Sequence, residues 1–337
     1  MPLPRGPKER VKRSMNLPPG IDPAVLDGPK RKPTGRSVLE EGSIEEYGRT
    51  YHSYKEGTYF LPNDGDEQDR LDMQHEGINT LLDGKLAWAP IDQPKRVLDI
   101  ATGTGIWAIQ FARKNPQATV IGTDLSLIQP KDVLPNVHFF KEDAENDEWT
   151  HDEQFDYIHI RMIFTCFDDF GKILLNAYKY LKPGGWIEIQ DHIPEVLSPD
   201  GTSVGSAYEK FGIHVMKGLA NVGRDATRIR YMDEMLQMSG FIDIKEHILP
   251  YPVGGWPEDA KNKRVGQFSA VNVRKGLEAS VKMLIAGGLT ELEADDLMHE
   301  ARGDLQSGRV HGYMPFYVVY GRKPFQSEAW RPWQEGI

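Results

Sequence analysis

Apolar runs of strand length alternate with stretches of helical spacing from Arg96 onward. Residues 96–101 read as a buried strand, followed by a glycine turn and a helix to about Lys114. Residues 119–124, 137–143 and 155–162 read as the next three strands, and 168–181 as a helix. Lys182-Pro183-Gly184-Gly185 then turns the chain into a fifth strand at 186–190. Strands separated by helices predict right-handed crossovers and a parallel sheet. Beyond Asp191 the rhythm loosens. Helices are expected at 204–219 and 231–238, a strand at 241–249, helices at 258–286 and 291–306, and a last strand at 313–320. The predicted fold class is α/β: a doubly wound, mostly parallel, seven-stranded Rossmann-like sheet with helical lid insertions at both ends.

Upstream, Tyr47, Tyr51, Tyr54, Tyr59 and Phe60 precede the acidic Asp64-Gly65-Asp66-Glu67, which suits a helix start. Leu71, Ile78, Leu81 and Leu82 recur at helical spacing. The expected organisation is a disordered basic tail at 1–38, a helical cap segment at 39–90, the α/β domain at 91–325 with a helical insertion at 256–308, and a short tail at 326–337.

Charge and composition narrow the function. Residues 1–36 carry nine Lys or Arg against three acids, so the remainder holds almost all of the acidity behind a net charge of −10. An acidic body offers no broad footprint for nucleic acid. The basic clusters at 8–13 and 30–32 fit either a nuclear-import signal or a solvated tail. No run of about 18 apolar residues and no signal-like start are present, so a membrane span or secretion is not expected. The single cysteine, Cys166, precludes an internal disulfide or a cysteine-clustered metal site, and no metal is expected. A cytoplasmic enzyme, nuclear if the tail is an import signal, is the simplest expectation.

The chemistry is concentrated in Val97-Leu98-Asp99-Ile100-Ala101-Thr102-Gly103-Thr104-Gly105-Ile106-Trp107-Ala108. A strand enters a two-glycine loop and passes directly into a helix, whose first N–H groups have no partner within the helix. Gly103 and Gly105 permit close backbone approach of a ligand. Asp124 ends the next strand, 21 residues after Gly103, where a carboxylate can accept both hydroxyls of a ribose. This is a nucleoside site. The G-x-G-x-x-A spacing alone also fits a dinucleotide and a nicotinamide-dependent oxidoreductase. Three features favour S-adenosyl-L-methionine. Asp99 suits a cationic amino group and repels a pyrophosphate. Asp143, followed by Ala144, is placed to accept adenine amino hydrogens. The Lys-Pro-Gly-Gly turn leads into Trp186-Ile187-Glu188-Ile189, as it does in methyltransferases. Each has a purely structural alternative: Asp99 and Asp124 as helix caps, Asp143 as a loop acid.

These residues resemble the fungal LaeA-type class I methyltransferases. The likeness rests on residues 97–107, on Gly122-Thr123-Asp124-Leu125-Ser126 with Ile128-Gln129-Pro130, and on 186–191. Upstream it includes Tyr51-His52-Ser53-Tyr54, Leu61-Pro62-Asn63-Asp64, Asp69-Arg70-Leu71-Asp72 and His75-Glu76, so that it covers roughly 40–325. The resemblance implies that Asp99, Ala101, Thr102, Gly103, Thr104 and Gly105 line the methionine end of the cofactor. It implies that Asp124, Leu125 and Ser126 hold ribose and adenine, with Asp143 and Ala144 at the adenine edge, and that Arg161 lies beside the methionine moiety. Some members methylate small secondary metabolites. Others resemble a nuclear regulator that partners velvet-type proteins, which gives a regulatory alternative.

Methyl transfer from a sulfonium needs a base only for some acceptors. His192, with Asp191 before it, is the candidate base, and a strand-end cap is its plain alternative. His159 is expected to face a helix layer, and Trp107 to be core. Tyr51 and Tyr54 fit either a lid over the cofactor or ordinary packing. A small-molecule acceptor is expected beneath 258–306 and the helix at 204–219, where Met216, Met235, Met238, Met283 and Met298 suit an adaptable pocket.

Overall fold

The computed structural model describes residues 43–52 and 60–328. The basic tail, Tyr54 and Tyr59 lie outside the described residues. Seven strands form one sheet: β3 (Arg96–Ile100), β4 (Thr119–Asp124), β5 (Val137–Lys141), β6 (Phe155–Arg161), β7 (Leu181–His192), β8 (Ile242–Pro252) and β9 (Tyr313–Arg322). They run in the order β5-β4-β3-β6-β7-β9-β8, parallel up to β7, with β9 antiparallel to both β7 and β8. The strand order reverses at β3, so the carboxyl ends of β3, β4 and β6 open the crevice where such sheets hold ligands.

Alternation along the strands sorts two apolar layers. Leu98 and Ile100 of β3 and Ile158 and Ile160 of β6 pack with α3 (Phe170–Tyr180) and α5 (Met232–Met238). Val97, Val120 and Tyr157 face α2 (Ile106–Lys114) through Trp107 and Phe111. Further along that face, Phe316 and Val318 of β9 meet α1 (Gly65–Leu81) and α6 (Ala260–Ala279). A separate cluster joins α4 (Ala207–Asn221), α7 (Val281–Ala286) and α8 (Glu291–Ser307).

The cap segment differs from its expected form in one respect. Before α1 it contains a hairpin, β1 (Ser43–Glu46) with β2 (Arg49–His52), whose four-residue strands are too short to show an alternation. Asp64 caps α1 by accepting from the Glu67 amide, and Arg49 of the hairpin clamps the same carboxylate with two 2.7 Å bonds.

Candidate active site

Both ends of the crevice are held by backbone that only certain residues tolerate. Ala101 and Met162, which follow β3 and β6, adopt left-handed φ values of 55° and 58°. Gly105 caps α2 at φ 77°, and a Cβ there would lie 2.4 Å from the Phe139 ring. That glycine is dictated by packing against β5, whereas the sequence suggested approach to a ligand. Gly103 behaves as expected: a Cβ would meet only Leu71, at 3.8 Å, so the space above it is open.

The loop is tied together through Asp124. Its Oδ2 accepts from the Gly103 amide at 2.9 Å and its Oδ1 from the Ser126 amide at 3.0 Å. The Leu125 amide also acts on it, and a carboxylate with about four lone-pair positions still has accepting capacity beyond these three backbone groups. Burial pushes the Asp124 carboxyl up to about 6. Gln129 donates to the carbonyls of Gly103 (2.6 Å) and Ser126 (3.0 Å). From α1, Asp72 accepts from the Thr104 hydroxyl at 2.6 Å and so joins the cap to the glycine loop.

Asp99 lies on the α2 face of the sheet, directly opposite His159 in the β3–β6 register. His159 Nδ1 donates to it at 2.7 Å and Thr102 Oγ1 at 2.5 Å. The His159 ring stacks on Trp107 with centroids 3.8 Å apart. The histidine therefore does face the helix layer and orients the carboxylate. At the end of β6, Arg161 contacts His75 Nδ1 of α1. Burial lowers the Arg161 guanidinium to about 10, against the pull of Asp99. Burial and the neighbouring Arg161 charge lower His75 to about 3, so its imidazole is neutral near pH 7. Asp143 accepts from the amides of Glu145 and Asn146, which shapes the loop after β5.

One cleft, with about 1320 Å³ of empty space including its mouth, gathers most of the expected residues. Asp99, Ala101, Thr102, Gly103, Thr104, Asp124, Leu125, Ser126, Asp143, Ala144 and Arg161 all line it. Six carboxylates line it against two guanidinium groups, Arg161 and Arg224. Gly105, Tyr51, Asp191 and His192 are not in its lining. Tyr51 is buried beneath Lys282, whose Nζ sits 3.6 Å from the ring centroid. His192 lines a second cavity of about 780 Å³, which shares Leu71, Gln74 and Met162 with the first, whereas Asp191 is buried beside it and lines neither.

That second cavity lies where the acceptor was expected, beneath α4 and α6. Of the five methionines named above, only Met283 lines it, joined by Met162 and Met314. Met238 is 89% exposed and Met298 is core. Met216 and Met235 pack against the apolar clusters. Helical spacing marks a buried stripe and does not distinguish core from pocket. Asp72, Gln74 and His75 were not identified as site residues. Their signal was the polar face of α1, which carries chemistry only once the helix is docked over the loop.

Residues 73–248 match the family model described as a methyltransferase domain. The chain belongs to this methyltransferase family. The relatives include Methyltransferase pytC of Aspergillus terreus, 33% identical over 322 residues that span 93% of this chain and 99% of the relative. Secondary metabolism regulator LAE1 of Cochliobolus heterostrophus is 33% identical over 85% of this chain and 97% of its own. Protein-methionine methyltransferase laeA of Emericella nidulans is 30% identical over 84% and 77%. The LaeA-type resemblance and the methyltransferase expectation therefore hold.

Class I methyltransferases take their methyl group from S-adenosyl-L-methionine. The cleft of this methyltransferase fits that donor on its own evidence. Gly103 leaves a cradle that a Cβ would fill. The excess of carboxylates suits a sulfonium and an ammonium and opposes a pyrophosphate. Among the described residues no group of His, Cys, Asp and Glu has metal-binding geometry, and no helix is long and apolar enough to cross a membrane.

Proposed function

We propose that this methyltransferase holds S-adenosyl-L-methionine in the acidic cleft and methylates a small molecule seated in the adjoining cavity. The observation that carries this reading is the junction itself: a carboxylate-lined crevice at the sheet's carboxyl edge opens past Leu71, Gln74 and Met162 into an apolar chamber. Asp124 and Ser126 hold the ribose, Asp143 and Ala144 the adenine edge, and Asp99 and Arg161 the two charges of the methionine end. The donor supplies an electrophilic methyl on sulfur. The chain supplies position and exclusion of water, which together are worth effective molarities of about 10⁵–10⁸ M. His192 is the base for an acceptor that must lose a proton. Asp191 is the positioning residue, anchored by the amides of Ile163 at 3.0 Å and His192 at 2.8 Å. Titration with S-adenosylhomocysteine, with NADH as control, tests the donor. Micromolar binding of the first and none of the second supports it, and the reverse rejects it.

Similarity to the secondary metabolism regulator LAE1 favours a second reading, regulation of secondary metabolism; a velvet-type protein partner belongs to that reading through the LaeA-type resemblance. On that reading, deleting residues 1–36 shifts the chain out of the nucleus; an unaltered distribution counts against it.

A further inference from the structure

The second cavity has an unusual balance of groups. Its walls are apolar, with Leu61, Phe164, Val196, Phe211, Val215 and Met283 contributed by five separate segments. Among its lining residues the only charged side chain is Arg70, and that charge is already matched. Glu67 takes Arg70 Nε at 2.8 Å and Nη2 at 2.6 Å, and Asn272 Oδ1 takes Nη1 at 2.6 Å. A carboxylate or an ammonium entering this chamber would find no opposite charge and would lose its water. An uncharged ligand meets no such cost.

One polar ring is left without a partner. His192 is only 6% exposed, lines the chamber and makes no ring hydrogen bond. It is held edge-on to Phe164, with centroids 4.9 Å apart, and to Tyr251 at 6.3 Å. Its Nδ1 has no exposed surface and lies 3.8 Å from Asp191 Oδ1, beyond hydrogen-bond reach but within that of a small ring shift. Nε2 is therefore the nitrogen available to a ligand. No hydrogen bond to a described residue occupies Nε2, so a hydroxyl in the chamber can donate to it.

We infer that the acceptor is an uncharged, apolar molecule bearing a phenolic or enolic hydroxyl that donates its hydrogen bond to His192 Nε2. This rests on the proposed function and specifies the substrate class of the same site. As the acceptor oxygen forms its bond to the methyl carbon, its proton passes to Nε2. The pair that bound the methyl to sulfur stays on the thioether, and the imidazolium returns the proton to water after release. A positioned imidazole is the commonest side chain to take such a proton. An alkyl amine would have to enter as an unpaired cation or be stripped of its proton beforehand.

The test is direct binding to the full chain saturated with S-adenosylhomocysteine, read by fluorescence. The probes are 7-hydroxy-4-methylcoumarin and its 7-methoxy and 7-aminomethyl counterparts, the last a cation, with 7-hydroxycoumarin-3-carboxylic acid as the anionic form. The hydroxyl form is expected to bind about 3- to 10-fold tighter than the methoxy form. The carboxylate is expected to bind at least about 100-fold more weakly. His192→Phe should abolish the hydroxyl preference, and His192→Gln should keep part of it. S-adenosylhomocysteine binding by each variant shows that it is folded. Equal binding of hydroxyl and methoxy forms, tight binding of the carboxylate or amine, no binding of the hydroxyl form at millimolar concentration, or a preference that survives in His192→Phe overturns the inference while leaving the donor site standing. Failure of S-adenosylhomocysteine to bind the wild-type chain removes the underlying reading instead.

Discussion

The cleft and the chamber sit side by side yet are built in opposite ways. The cleft is assembled mainly from consecutive strand ends: the glycine loop after β3, Asp124 closing β4 and Asp143 after β5, with the end of β6, the segment after it, the α1 cap and Arg224 completing its walls. Its side chains are fixed by short-range bonds such as Gly103 to Asp124 and Thr102 to Asp99. The chamber draws on α1, the segment after β6, the end of β7, α4, α6, α7 and β9. Its Arg70, paired with Glu67 on the same helix, also reaches Asn272, 202 residues away. A region specified locally keeps one ligand, whereas a region specified by distant contacts changes its ligand when any helix changes its side chains.

The largest expected effect falls on the distant tie. Arg70→Ala strands Glu67, which is 1% exposed, as an uncompensated buried charge and should cost about 3–5 kcal/mol in a denaturant titration. A loss below about 1 kcal/mol would mean that the two helices are held together by apolar packing alone. Gly105→Ala breaks the local region instead. A left-handed φ and a clash with Phe139 together should cost about 2–5 kcal/mol of stability. Unchanged stability would show that β5 yields easily and that the loop is softer than its bonds suggest.

Asp124→Ala separates the two regions more finely. Losing charged hydrogen bonds worth about 1.5–3 kcal/mol should weaken S-adenosylhomocysteine about 10- to 150-fold in calorimetry. Coumarin binding in the chamber should survive, and a parallel loss of both would merge the regions into one. The smallest effect is the pH response. Burial lifts the Asp124 carboxyl from 3.8 to about 6, so its contribution to stability is full below 3.8 and is lost as pH rises through about 6. Ligand binding has the opposite sign, because the ionised carboxylate accepts the ribose. Affinity should therefore fall as pH drops below about 6, by at most about tenfold per pH unit. Asp124→Asn should flatten both trends.

The same contrast explains what the sequence made legible. The succession of strands and helices, the glycine loop, Asp99 and Asp124 follow from periodicity and spacing within single βα units. The placement of His159 against Trp107 follows from alternation along β6. The roles of Asp72 and His75 do not, because they depend on how α1 docks across the sheet. The five methionines showed helical spacing, which core and pocket share, and only Met283 reached the chamber. Tyr51 carried an aromatic signal that a lid and a packed hairpin satisfy equally, and the hairpin is what Lys282 covers.

The most direct test of the account is a crystal structure of this chain with S-adenosylhomocysteine. Adenosine should lie between Asp124 and Asp143, with the ribose donating to the Asp124 carboxylate and the amino acid end between Asp99 and Arg161. A ligand lying in the chamber beside His192, or one whose ribose does not touch Asp124, would contradict it.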